Sequence, residues 1–278
     1  MPTALRKANQ EVVEIADKDI DKTEQSNIMV NHCRTLPDPE KIRGGWQVLL
    51  FYLLARVFTL DYSRINNRWP LTKEAFPLVF AGCALASCFA WFGLGLATVL
   101  IGALSLFTAF FFRDPERHVS TDDKAVLTPA DGRILEIRDL DDNDSPLGEP
   151  AVKISIFMSI FNVHVNRIPV GGIIERITYH PGKFISANLD KASEYNEKNT
   201  IILQTSDSRR IAFIQIAGAI ARRISCWVDT GDHVCAGQRF GLIRFGSRLE
   251  VYLPLNSRIT ASPRQRVRAG ETVIGYLP

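Results

Sequence analysis

Near its C-terminal end the chain reads "RFGSRLEVYLP", Arg244 to Pro254. The apolar alternation is that of a strand, and Gly246-Ser247 interrupts it. Glycine inside a strand pattern weakens it and marks a bulge or a close backbone approach. Two readings compete: a bulge, or chemistry that the chain performs on itself at the Gly-Ser bond. A serine hydroxyl is a poor nucleophile without an adjacent base. His164 lies in an apolar β-rich run, where the ordinary reading is a core histidine satisfied by a backbone group. Asp131 stands in "TPADGRI", where Asp-Gly is a strong turn signal.

Metal chemistry has little to draw on. The five cysteines are Cys33, Cys83, Cys88, Cys226 and Cys235. None forms a C-x-x-C pair, their number is odd and two lie in an apolar run, which argues against a zinc site and a disulfide framework and fits a reducing compartment. The net charge of +3 comes without a basic stripe interleaved with aromatics, so no nucleic acid is expected.

The elements that must position these residues fall into three parts. Residues 1–72 are a polar extension of mixed charge, without the early apolar core of a signal peptide. They contain one short apolar segment at 46–60, best read as interfacial or packed on protein, because about 20 residues are needed to span a bilayer. Residues 73–112 hold a run with no charged residue from Ala75 to Phe112. That run has room for two helices of ~18 residues, turning at Gly93-Leu94-Gly95. Gly82, Ala86, Gly102 and Ala103 would let the helices approach closely. Flanking Arg64, Arg68, Lys73, Arg113 and Arg117 place both ends of this membrane hairpin in the cytoplasm by the positive-inside tendency.

Residues 113–278 change to short β-rich runs bounded by Gly, Pro, Asp and Asn, from "AVLTPADGRILEI" to "LEVYLP". No long amphipathic helix separates them, so a mostly β, antiparallel domain is expected. "VCAGQRFG" resembles "VRAGETVIG", a pattern found in barrel-sandwich domains that carry biotin or lipoyl groups. A carrier needs a modifiable lysine between its halves, and no lysine follows Lys198. A lipoyl-like binding module is therefore the weaker reading, although a barrel-sandwich-like fold stands.

Six segments occur together and in order: "FFRDPER", "TPADGRI", "FMSIFNVHVNRIPVGG", "YHPGKF", "IAGAIARRI" and "RFGSRLEVYLP". The combination closely resembles the short form of the phosphatidylserine decarboxylase proenzymes, from about Lys73 to Pro278. The resemblance implies that the chain cuts itself between Gly246 and Ser247, the Ser247 hydroxyl attacking the preceding carbonyl. A covalent pyruvoyl group then remains on Ser247 and forms a Schiff base with the serine amine of the lipid. Phosphatidylserine becomes phosphatidylethanolamine and carbon dioxide, with no bound metal. A large and a small chain remain associated. Gly246 suits such a cut, because without a Cβ it lets the peptide bend toward the hydroxyl.

By the same resemblance His164 is the base and Asp131 its aspartate, a Ser-His-Asp arrangement by role. Longer-form members carry H-x-x-H, and this chain has Arg167 where the second histidine would fall. One histidine then serves both steps, or another group such as His180 takes one of them. Lys183, Arg222 and Arg223 are candidates to meet the lipid phosphate or carboxylate, against a solvated surface as the plain alternative. Arg264, Arg266 and Arg268 form a basic cluster suited to an anionic membrane surface. The implied location is the cell membrane, with the catalytic domain on the cytoplasmic side, and a homo-oligomer is compatible with the sequence. A decarboxylase of another serine-headgroup lipid, archaetidylserine-like, shares all these residues. An inactive homologue is the remaining rival, disfavoured by the intact Gly246-Ser247, His164 and Asp131.

Overall fold

The computed structural model describes residues 65–278, except 68, 121, 187–191, 220–223 and 245. The apolar segment at 46–60 and most of the polar extension lie outside the described residues. Two helices come first, α1 (Ala75–Trp91) and α2 (Gly95–Phe111), each of 17 residues. They turn through Gly93 in the left-handed region (φ +71°), and Gly82 lies so close to Ser105 that a side chain at 82 would collide with its hydroxyl. The charge-free run forms two helices packed on one another. Its helices are shorter than two full spans: 17 residues rise about 25 Å, against an apolar bilayer core of about 30 Å. No helix among the described residues is long and apolar enough to cross a membrane.

The remaining chain is mostly antiparallel β. In order come β1 (Ala125–Leu127), β2 (Gly132–Leu140), β3 (Ala151–Met158), β4 (Val165–Arg167) and β5 (Gly172–His180). A four-residue helix, α3 (Ala192–Tyr195), precedes β6 (Lys198–Gln204), β7 (Arg210–Ile216), β8 (Ile224–Cys226), β9 (His233–Val234) and β10 (Arg239–Ile243). The last four are β11 (Ser247–Pro254), β12 (Arg258–Ile259), β13 (Arg266–Val267) and β14 (Val273–Tyr276). An eight-stranded sheet runs β13-β2-β3-β11-β7-β6-β5-β9, beside two three-stranded sheets, β1-β14-β12 and β4-β10-β8.

Strand β11 lies between β3 and β7, and that position explains its composition. Leu249, Val251 and Leu253 point by period two into the main core with Ile154, Ile156 and Phe213. Arg248, Glu250 and Tyr252 take the other face and are also buried. The charges there are paired: Arg248 Nε lies 2.9 Å from Glu250 Oε1, Lys153 Nζ 2.6 Å from Glu136 Oε1, and Tyr252 Oη donates to Glu250 at 2.7 Å. Buried charges persist only when paired and hydrogen-bonded in this way.

Two turns cross at the centre of the small sheets. Leu127 N–H donates to the Pro169 carbonyl at 2.8 Å, and Arg167 N–H donates to the Pro129 carbonyl at 2.9 Å. Gly270 N–H likewise reaches Thr128 O, as Gly237 N–H reaches Ile168 O. These reciprocal bonds relate "TPADG" to "IPVGG" and join them to the "VCAG" and "VRAG" repeats. Gly132 and Gly172 hold equivalent places at the starts of β2 and β5. At each, a Cβ would collide with a carbonyl of the neighbouring strand, Phe157 and Gln204 respectively. Cys83, Cys88 and Cys226 are free.

Candidate active site

The Gly246-Ser247 bond lies at a corner between two sheets. β10 ends at Ile243 in the small β4-β10-β8 sheet, and β11 begins at Ser247 in the large one. The interruption is therefore a change of sheet and not a bulge within one strand. Gly246 makes the corner in the left-handed region at φ +61°, with no heavy atom within 4 Å of where a Cβ would stand. An L-residue would fit in space there and pay in backbone strain, on the order of 1–2 kcal/mol.

Ser247 is completely buried. Among the described residues its hydroxyl finds only the Met158 thioether, 3.7 Å away, a weak acceptor. Asn166 Nδ2 approaches the same sulfur at 3.7 Å, and behind it Gln215 donates to Asn166 at 2.9 Å and Asn199 to Gln215 at 3.1 Å. This chain of buried amides ends at the sulfur that Ser247 also meets.

His164 follows the loop that leaves β3 opposite Ser247. Its carbonyl accepts from Ile243 N–H at 3.4 Å, four residues before Ser247. The two residues thus stand at the two ends of one closed ring of backbone. The imidazole is fully buried and stacks on Phe111, the last residue of α2, with ring centres 4.3 Å apart. Nδ1 lies 3.0 Å from the Asn162 carbonyl oxygen. A carbonyl only accepts, so Nδ1 carries the proton and Nε2 presents its lone pair. Nε2 is buried and has no hydrogen-bond partner among the described residues. Burial, with a smaller push from the Arg113 charge, pulls the imidazole pKa down to about 4 although the Asn162 bond opposes this. The ring is neutral at pH 7, a base with its lone pair free. It is not hydrogen-bonded to Ser247 in this uncut form.

Asp131 is placed otherwise than a triad would have it. Its carboxylate takes two bonds from Arg117 Nη2, at 2.9 and 3.1 Å, and one from Ala269 N–H at 2.7 Å. It makes no bond to His164, whose ring is oriented by a backbone carbonyl instead. Arg167 is clamped: Nη1 donates to Gly237 O at 2.9 Å, and Nη2 to Pro115 O at 3.0 Å and towards Asp114 at 3.5 Å. Arg239 meets Asp114 from the other side at 2.8 and 3.0 Å. Arg167, three residues after His164, is therefore a structural cation.

Lys183 is exposed, its ammonium 5.8 Å from the centre of the Tyr195 ring. His180 is exposed at the end of β5, and Arg264, Arg266 and Arg268 are exposed. Arg222 and Arg223 lie outside the described residues. Residues not foreseen are Asn162, Met158, Asn166 and Gln215. The last two had a signal, a polar amide inside an apolar strand. Among the described residues no cluster of His, Cys, Asp or Glu could hold a metal ion.

Known proteins resemble this chain over most of its length. A family model described as phosphatidylserine decarboxylase matches residues 104–275. A protein of Syntrophus aciditrophicus named phosphatidylserine decarboxylase proenzyme is 48% identical over 207 residues, 74% of this chain and 96% of the relative. Proteins of the same name from Desulfotalea psychrophila and Xanthobacter autotrophicus are 45% and 46% identical. They align over 75% and 74% of this chain and over 97% and 88% of their own lengths.

Proposed function

The chain belongs to the phosphatidylserine decarboxylase family, and from that membership and the site we infer that it converts phosphatidylserine to phosphatidylethanolamine and carbon dioxide after cutting itself between Gly246 and Ser247. The observation that carries the self-cutting is the buried Ser247 directly after a left-handed Gly246, with an unpartnered His164 Nε2 on the adjoining ring of backbone. Among the described residues the serine hydroxyl has only a thioether to hold it, so it is free to turn to the Gly246 carbonyl. His164 takes its proton. Asp131 acts at one remove, fixing the "TPADG" turn through Arg117 and Ala269. β-Elimination then opens the resulting ester, releasing the Gly246 carboxylate, and water hydrolyses the dehydroalanine so formed, whose nitrogen leaves as ammonia and whose carbonyl blocks the new terminus at residue 247.

That terminus is a pyruvoyl group, and the residues present fit it. Position 247 is held in register by β3 and walled by Met158, with the Asn166 amide as a nearby donor. The group supplies an electrophilic carbonyl as the electron sink for decarboxylation. His164 holds and returns the proton that the reacting carbon needs, and Phe111 keeps water from one face of its ring. Cleavage leaves β11 to β14 on the small chain. β11 stays wedged between β3 and β7 of the large chain, so the two remain associated through two ladders of backbone bonds. The test is the intact mass of the purified protein, with carbon dioxide release from phosphatidylserine. Two co-eluting chains, the smaller starting at Ser247 and blocked to N-terminal sequencing, are expected. One full-length chain that is active would overturn the reading.

The hairpin attaches this enzyme to the membrane that holds its substrate. Phe80, Trp91, Leu96 and Leu106 are 73–88% exposed, and an apolar surface of that extent marks a membrane or protein contact. With both ends at the catalytic domain, the helices dip into the cytoplasmic leaflet of the cell membrane. Cysteines introduced at Lys73 and His118 are expected to react with an impermeant maleimide from the same, cytoplasmic side. Labelling from opposite sides would mean a single crossing.

A further inference from the structure

The segment "FFRDPER" places four charges at the foot of the hairpin, and three of them are neutralised within the protein. Asp114 is held by Arg239 and Arg167, Glu116 by Arg239, and Arg117 by Asp131 and Glu271. Arg113 is the exception. Among the described residues no carboxylate lies within ion-pair distance of it. It donates Nη1 to the Phe110 carbonyl at 2.7 Å and Nη2 to the Phe161 carbonyl at 2.6 Å, with its guanidinium 4.0 Å from the centre of the Phe110 ring. These contacts fix its direction without cancelling its charge. It is half-buried, where an uncompensated charge is costly, and desolvation weakens its hold on its proton while the Asp131 charge opposes this.

Its position is informative. Arg113 ties the end of α2 to the loop between β3 and β4, the loop that carries Asn162 and leads to His164. Phe161, whose carbonyl it holds, is itself 64% exposed. On one side lie the buried His164 and Ser247, on the other the apolar exterior of the hairpin. A lipid reacting here has its amine and carboxylate at the buried end and its tails at the hairpin, so its phosphodiester falls between them. We propose that Arg113 binds the phosphodiester of the lipid headgroup, a positioning that rests on the decarboxylase reading above. The carboxylate is the other anion of the headgroup, and it is the poorer partner. A cation paired with it would stabilise the ground state and hold back the charge that must leave the carboxylate as carbon dioxide departs, whereas the phosphodiester keeps its charge throughout.

The test uses matured enzyme and two soluble lipids. Dihexanoylphosphatidylethanolamine has the phosphodiester and no carboxylate, and its dissociation constant is read by calorimetry. Dihexanoylphosphatidylserine is the substrate, with turnover counted per titrated pyruvoyl group. Hydrogen bonds to charged groups set the scale: Arg113→Met is expected to raise the dissociation constant and KM by about 10- to 100-fold, with kcat falling less than KM rises. Arg113→Lys, which keeps the charge on a narrower set of donors, is expected between the two, and it carries the test if the methionine variant does not mature. A raised KM with unchanged phosphatidylethanolamine binding would place the cation on the carboxylate and overturn the proposal. Unchanged binding and KM in both variants would leave Arg113 a structural tie and overturn it as well. A wild-type protein that binds phosphatidylethanolamine but releases no carbon dioxide would instead defeat the decarboxylase reading.

Discussion

Ser247→Ala is expected to remain a single chain of 278 residues with no decarboxylase activity. The substitution removes one oxygen from a fully buried site whose only hydrogen-bond partner among the described residues is a thioether sulfur. Little folding energy goes with it, since a bond to a weak acceptor contributes at most about 1 kcal/mol. The variant should therefore fold like the uncut wild type, and its far-UV spectrum and thermal midpoint should match. What disappears is the nucleophile, and with it both the cut and the carbonyl that the reaction draws on. The expected loss of turnover is complete, not partial. Ser247→Cys, which keeps a nucleophile, should still cut to a measurable extent. Cleavage of Ser247→Ala at the same bond would move the chemistry to another group. A folded, uncut Ser247→Ala that still decarboxylates would separate the activity from the cut.

Parts of this were legible in the sequence for physical reasons. A charge-free run of that length has few structures open to it, and it forms two helices joined through Gly93. The longer β-rich runs became β2, β3, β5, β6, β7 and β11, because period-two burial is written in the residues themselves. What a run pairs with is not written there. The strand around Gly246-Ser247 read as one interrupted element, yet its halves belong to different sheets, because register depends on residues scores of positions away. Arg167 looked like the absence of a histidine. Its role is defined by Asp114 and by the Gly237 carbonyl, which only the folded chain brings to it. His164 is oriented by the Asn162 backbone, and a carbonyl acceptor leaves no trace in residue type. Sequence reasoning therefore looked to Asp131, which carries the right chemistry but is engaged by Arg117.

The second large effect is expected at His164. His164→Ala should accumulate uncut precursor, its cleavage slowed by about 10²- to 10⁴-fold, the usual worth of general-base assistance. Any fraction that matures should also turn over slowly per pyruvoyl group, because no second histidine lies in this segment and Arg167 is clamped. The pH dependence distinguishes this buried base from an ordinary one. With its pKa near 4, the imidazole stays neutral through neutral pH, so wild-type cleavage should be level from pH 8 to about 5 and decline only towards 4. A midpoint near the unperturbed ~6.5 would mean that the working histidine is solvated and that the buried arrangement is not the reactive one. Stability gives an independent reading. The unfolded chain takes up a proton at about 6.5 and the folded one near 4, so the unfolded state binds more protons between these values. Stability then falls as pH drops through that window, by roughly 3 kcal/mol in all from this one group. His164→Gln removes the difference, and its midpoint should lose less between pH 7 and 4 than that of the Ser247→Ala precursor, which keeps the histidine. The low pKa also suits the return step: a buried imidazolium is a strong acid, and it gives its proton back readily to the carbon that has lost carbon dioxide. If matured His164→Ala turned over at the wild-type rate, that return would belong to another group, and the histidine would be left with the cut alone.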